Sequence, residues 1–157
     1  MPGPATDILL RDGSTVSVRR IEAGDRDAVH AFLTGLSPES RLFRFFGGAT
    51  DLDRAAADAV AAAPPDSEGL VAVRGAGEVV AHGMYVRLDE HTAEVAFAVT
   101  DSMQGQGVAT TLLAHLAEAA EAAGIGRFEA VVMPANHRMI EVFRESGFEV
   151  RTRALPG

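Results

Sequence analysis

Residues 92 to 123 most constrain what this chain can fold into. Thr92–Thr100 alternates like a strand, with Glu94, Ala96 and Ala98 on one face and Val95, Phe97 and Val99 on the other. A loop with two glycines follows, Gly105-Gln106-Gly107, and a helix fits from about Gly107 to Ala123. Val108, Leu112, Leu116 and Ala119 give that helix an apolar face, and Gly124 supplies its C-cap. Phe128–Met133 then reads as another strand, so the segment is a β-α-β crossover. A helix N-terminus leaves backbone N–H groups unpaired and carries partial positive charge, so it suits a phosphate or pyrophosphate. A bare Gly-x-Gly also serves as a tight turn that binds nothing. A dinucleotide-binding loop is a third reading, with Glu129 about twenty residues on, but it fits poorly. Thr100–Gln104 separate strand from glycines, Thr110 holds the third glycine position, and the chain is too short for repeated β-α units.

The rest of the chain frames this crossover. Ile8–Leu10 and Thr15–Ile21 are strand-like runs around Asp12-Gly13, a hairpin signal. Ala23–Leu36 carries apolar residues at helical spacing. Ser37-Pro38 begins a second helix through Phe46 that stops at Gly47-Gly48. A third helix fits Asp51–Ala62. Leu70–Arg74, Val79–Leu88 and Thr92–Thr100 form a meander joined by Gly75–Gly77 and Asp89-Glu90-His91. After Phe128–Met133, a helix spans Asn136–Glu145, closed by Gly147, and Phe148–Thr152 is a last strand. The spacing predicts one α/β domain over residues 1–157, with a mixed, mainly antiparallel central sheet flanked by helices.

Composition narrows the chemistry. The chain has no cysteine, which excludes a disulfide framework, a thiolate metal site and a thiol nucleophile. Its five histidines lack metal-ligand spacing, so no metal is expected. A net charge of −8 argues against nucleic acid and is compatible with a cationic amine substrate. The N-terminus lacks the basic and apolar regions of a leader, and no apolar run is long enough for a membrane, so a cytoplasmic protein is expected.

The motif Gln104-x-x-Gly107-x-Ala109 resembles the Q/R-x-x-G-x-G/A signature of the GNAT superfamily, the acyl-CoA-dependent N-acetyltransferases. Ala93–Phe97 resembles the fourth-strand pattern of the family's protein-lysine acetyltransferases. Asn136, Phe143 and Gly147-Phe148 are similar to its second conserved block, and the element order is also the family's. The likeness covers roughly residues 15–152. Leu10–Phe46 further resembles the GNAT domain of bacterial protein acetyltransferases that act on acyl-CoA synthetases. The resemblance implies the GNAT fold and acetyl-CoA as cosubstrate. Backbone amides of Gln106, Gly107, Val108 and Ala109, with Gly105 and Thr110 beside them and Gln104 leading the motif, would hold the CoA pyrophosphate. Backbone groups of Phe97, Ala98 and Val99 would pair with pantetheine like an added strand, provided the strands around Thr92–Thr100 and Phe128–Met133 splay. Asn136 would contact the cofactor or cap its own helix. Gln106 stands where the family often has a basic residue, which removes charge assistance to phosphate.

Acetyl transfer to an amine needs the neutral nitrogen. A free lysine, with a pKa of about 10.4, is neutral at pH 7 only about once in a few thousand molecules. The resemblance places the general base at Glu94, acting directly or through a water; an exposed strand glutamate with no role is the alternative. Where many relatives have a tyrosine acid, this chain has Phe143, and its one tyrosine, Tyr85, is expected to be half-buried in a strand. The expected activity is acetyl transfer from acetyl-CoA to a protein lysine or a small cationic amine; a non-catalytic acyl-CoA-binding module is the alternative. Arg41 and Arg44, among Phe43, Phe45 and Phe46, make an aromatic-basic helix that either binds nucleic acid or a substrate protein, or packs its phenylalanines as core with the arginines exposed; the resemblance implies that this region flanks the acceptor cleft. The family usually continues into a seventh strand, so an open edge and a homodimer are also expected.

Overall fold

The computed structural model describes residues 5–46 and 50–146. Strands β1 (Thr6–Leu9) and β2 (Thr15–Arg20) form the antiparallel hairpin that Asp12-Gly13 announces. Gly13 takes φ 87°, and the Asp12 carboxylate accepts a hydrogen bond from the Ser14 N–H at 2.9 Å. The expected helix at Ala23–Leu36 divides into a 3-10 turn, Ala23–Asp25, and α1, Arg26–Thr34. Asp25 causes the division: its carboxylate accepts the Glu22 N–H at 2.7 Å and pairs with Arg19, so the first turn winds around that side chain. Helix α2 (Pro38–Phe45) starts under a Ser37 cap, and α3 (Leu52–Val60) starts under an Asp51 cap.

The meander follows as β3 (Ser67–Arg74), β4 (Glu78–Arg87) and β5 (Thr92–Val99). Helix α4 (Val108–Ala122) crosses over to β6 (Arg127–Glu129), which runs parallel to β5, and α5 (His137–Glu145) comes after it. The six strands lie in chain order in one sheet, and every pairing but the last is antiparallel. This is the expected mixed α/β architecture. The stop at Gly47-Gly48, the Gly147 closure and the Phe148–Thr152 strand lie outside the described residues.

Strand alternation divides the apolar residues into two cores. Val95, Phe97 and Val99 join Leu112 and Leu116 of α4 on one side. Ala98 joins Val29 and Phe32 of α1 on the other, beneath α1 and α3. Each fully buried leucine of α4 contributes about 1.5–3 kcal/mol, which fixes the crossover against the sheet. Tyr85 belongs to the α4 side, 1% exposed, with its ring 5.8 Å from Phe128. It is more deeply buried than a half-exposed strand tyrosine would be.

One glycine sets the position of the key strand's aromatic. Gly83 on β4 lies opposite Phe97 on β5, and a Cβ at Gly83 would come within 2.7 Å of the Phe97 ring. The missing side chain lets the ring lie across the neighbouring strand, where it meets Phe143 of α5 with centroids 5.9 Å apart. Gly83→Ala should therefore destabilise the fold by about 1–3 kcal/mol, read as a lower urea midpoint at unchanged slope. A midpoint equal to the parent's would show that the Phe97 ring has room to move.

Candidate active site

The site begins where two strands part. β5 and β6 pair only at Thr92–Arg127, Ala93–Phe128 and Glu94–Glu129. The strand expected over Phe128–Met133 thus stops at Glu129, and residues 130–133 leave the sheet. Two features accompany the departure. Pro134 lacks a ladder donor and ends the run, and α5 then tucks Phe143 against Phe97. The gap opens a cleft of about 810 Å³, lined by Val95–Val99 on one wall and by 130–132 and the start of α5 on the other.

The ladder phase says which backbone groups face this gap. The Thr100 N–H donates to the Val80 carbonyl, so the alternating hydrogen-bonded residues of β5 are Glu94, Ala96 and Ala98. Phe97 and Val99 turn their N–H and C=O groups toward the cleft, while the Ala98 groups between them face β4. The Val99 carbonyl accepts the Gln104 side-chain amide at 3.1 Å. The splay needed for an added strand of pantetheine is present, with the backbone edge of Phe97 and Val99 along it.

The loop after β5 is the expected phosphate site. A 3-10 turn at Asp101–Met103, which periodicity did not reveal, leads into it. Gly105 and Gly107 take φ 78° and 87°, and Gly107 is the N-cap of α4 without a side-chain cap. The N–H groups of Val108, Ala109 and Thr110 therefore open this helix with no side chain bonded to them. Sequence reasoning missed the nearby cation. A Cβ on Gly105 would lie 3.3 Å from an Arg138 guanidinium nitrogen, so Arg138 lies over the loop. It brings a positive charge from α5 beside the loop; Gln106 itself keeps a buried Oε1 with no partner among the described residues. Asn136 caps α5 by accepting the Met139 N–H at 3.3 Å, and it also borders the cleft.

A second network missed in the sequence holds α2 to this loop. Asp101 accepts from the Ser37 hydroxyl at 2.8 Å, the Ser37 N–H at 3.1 Å and the Ser40 hydroxyl at 2.9 Å. Desolvation pushes the Asp101 carboxyl up, but these hydrogen bonds outweigh it and leave the group below its ordinary range. Gln104 closes the chain by donating to Ser40 Oγ at 3.1 Å. The leading glutamine of the motif thus joins strand end, loop and α2. Asp101 is 61 to 64 residues from its partners, so only the tertiary structure brings them together.

On the far face of β5, Glu94 is exposed and sits one residue outside the cleft lining. It is the last β5 residue paired to β6, so it stands where the gap begins. Arg44 reaches this face from α2 and feels the Glu94 charge without forming an ion pair with it. His82, across the ladder from Ala98, lies beneath and is 2% exposed. Burial pushes His82 down to about 3, and the Arg44 charge adds to that shift. Phe143 occupies the usual acid position as an apolar contact of Phe97, and Tyr85 faces the α4 core. Among the described residues, no three His, Asp or Glu side chains gather as a metal site, and no helix is long and apolar enough to cross a membrane.

The cleft and the glycine loop lie where the resemblance expects them, and comparison with known proteins shows the family. The model of the acetyltransferase (GNAT) family matches residues 36–148. Acetyltransferase PA5475 of Pseudomonas aeruginosa is 31% identical over 144 residues, 88% of this chain and 77% of that protein. Among solved structures, the GNAT domain of S. lividans PAT superposes with a TM-score of 0.84 at 38% identity, covering 91% of this chain and 86% of that one. A cAMP-binding acyltransferase from Mycobacterium smegmatis matches with a TM-score of 0.65 at 25% identity; this chain covers 43% of it. The chain belongs to the GNAT acetyltransferase family.

Two outcomes follow from these contacts. Arg138→Ala should raise the KM for acetyl-CoA about three- to tenfold with little change in kcat, because charge assistance to the phosphates is lost before the chemical step. An unchanged KM would remove Arg138 from the phosphate site. For His82, the unfolded chain takes up a proton near 6.5 and the folded one only near 3. Stability from the neutral imidazole is complete above pH 6.5 and drains as the pH falls toward 3, by up to a few kcal/mol. Urea unfolding at pH 7 and pH 4.5 should show this loss, and His82→Gln should lessen it.

Proposed function

We propose that this enzyme moves the acetyl group of acetyl-CoA to the ε-amine of a protein lysine, with Glu94 as general base. The observation that carries the reading is the parting of β5 and β6 immediately past Glu94. It sets a carboxylate at one end of an open backbone edge and the uncapped start of α4 at the other. The residues fit acetyl-CoA: amides at 107–110 with Arg138 for the phosphates, Phe97 and Val99 for pantetheine, and Asn136 at the cleft border. Acetyl-CoA supplies an activated thioester, and the chain supplies position and proton transfer.

The acceptor nitrogen forms the new amide bond as the C–S bond breaks. The ammonium proton passes first to Glu94, directly or through one water, which leaves the nitrogen neutral for attack, and the second nitrogen proton goes to solvent as CoA departs as thiolate. With Phe143 apolar and Tyr85 in the opposite core, solvent protonates that thiolate. Protein lysine is favoured over small cationic amines by the likeness of Leu10–Phe46 to protein acetyltransferases and by the 38% identity to the PAT domain. The net charge of −8 suits either acceptor. A cytoplasmic setting and a homodimer belong to the same reading; a monomeric mass by light scattering would remove the homodimer.

Purified protein, acetyl-CoA and a panel of lysine proteins and polyamines should show CoA release, highest with a protein acceptor. Glu94→Gln should lower kcat/KM at least about tenfold while calorimetric CoA affinity stays within about twofold. Near-normal turnover by the variant would exclude Glu94 as base. CoA binding without transfer to any amine would favour a binding module.

A further inference from the structure

The α2 face of the cleft holds a cation with no counter-ion among the described residues. Arg44 lines the cleft, and its Nε is shut off from water with no partner among the described residues. One terminal nitrogen meets only the Met84 sulfur, at 3.8 Å, a weak acceptor. The guanidinium also lies over the Phe45 ring, 4.8 Å from its centroid. No described carboxylate comes within ion-pairing distance of it. Glu94, the acid whose charge it feels, is exposed and turned to solvent. Beneath, His82 is buried with an unpartnered Nε2 and offers no negative charge. A buried guanidinium is costly unless a charged acceptor meets its planar fork, and a carboxylate matches that fork two bonds at a time.

Position narrows the ligand. Arg44 bears on the Met84–Ala96 pair, two residues along β5 from Glu94, and lies one helical turn beyond Ser40, which bonds Gln104. Ala96 is half-buried and small, which leaves space on that face. We propose that Arg44 is a carboxylate receptor at the reacting end of the cleft, selecting a substrate that carries a negative charge beside the transferred acyl group. The carboxylate comes from one of two sources. It is the far end of a dicarboxylic acyl chain on CoA, or it belongs to the acceptor, as an acidic side chain next to the target lysine. The inference rests on CoA occupying the cleft as proposed above.

The test compares kcat/KM in two arms. Succinyl-CoA is set against butyryl-CoA with a neutral lysine peptide, and then acidic-flanked lysine peptides are set against neutral ones with acetyl-CoA. The wild type should favour the carboxylate-bearing substrate at least about tenfold in one arm, and the arm that shows it identifies the source. Arg44→Gln should bring that ratio close to one, and Arg44→Lys should restore part of it. Ratios within twofold in both arms for the wild type would overturn the proposal, as would a preference that survives Arg44→Gln. The wild-type ratios decide the matter even if both variants fold poorly. Calorimetry with CoA alone separates this outcome from failure of the cleft assignment, which would appear as no CoA binding.

Discussion

The function proposed for this molecule depends on β5 and β6 separating after three residue pairs. A parallel pair continued to Met133 would satisfy the backbone of Phe97 and Val99 and close the cleft. The break leaves that edge for a ligand. It is held open by features on both sides: Pro134 and the turn into α5 on one, and the Phe97–Phe143 contact on the other. The contact depends in turn on Gly83, whose missing Cβ gives the Phe97 ring its place. An unpaired strand edge is ordinarily a liability, and here it lies in a cleft behind α5 rather than on the outer rim of the sheet.

The two faces of β5 divide the work. The face toward α4 is aromatic and aliphatic and fixes the crossover helix whose first turn is the proposed phosphate site. The other face carries small residues, one exposed carboxylate and the reach of Arg44. The loop is tied to both, since Gln104 bonds to the Val99 carbonyl and to Ser40 of α2. Through Asp101, α2 is held against the loop it borders. A shift of the loop would therefore carry Arg44's helix with it, so the proposed phosphate and acceptor sides of the cleft share one hydrogen-bonded support.

Much of this was legible because it is local. Asp12-Gly13, Ser37-Pro38, Asp51 and Asn136 mark element ends by hydrogen bonds within three residues, and each appears where expected. Strand parity placed Glu94 and Phe97 on opposite faces. The glycine loop was legible because both glycines adopt positive φ at a helix start. The illegible parts are long-range. Valine-rich 130–132 looks like strand by propensity, and its exit from the sheet depends on the later helix α5 as well as on Pro134. Arg138, Asp101 and Arg44 carry no motif; their roles arise from partners 33 to 64 residues away. Tyr85's depth follows from Phe128 coming back beside it, which spacing along one strand does not encode.

Amide hydrogen exchange resolved at single residues, with and without CoA, tests the central claim most directly. In the free protein, Ala96 and Ala98 should exchange slowly because they bond to β4, while Phe97 and Val99 exchange faster. Saturating CoA should slow Phe97 and Val99 at least about tenfold, together with Val108 to Thr110, and leave Ala96 and Ala98 little changed. If CoA binds and the Phe97 and Val99 amides keep their free-state rates, the gap between β5 and β6 is not where the cofactor lies.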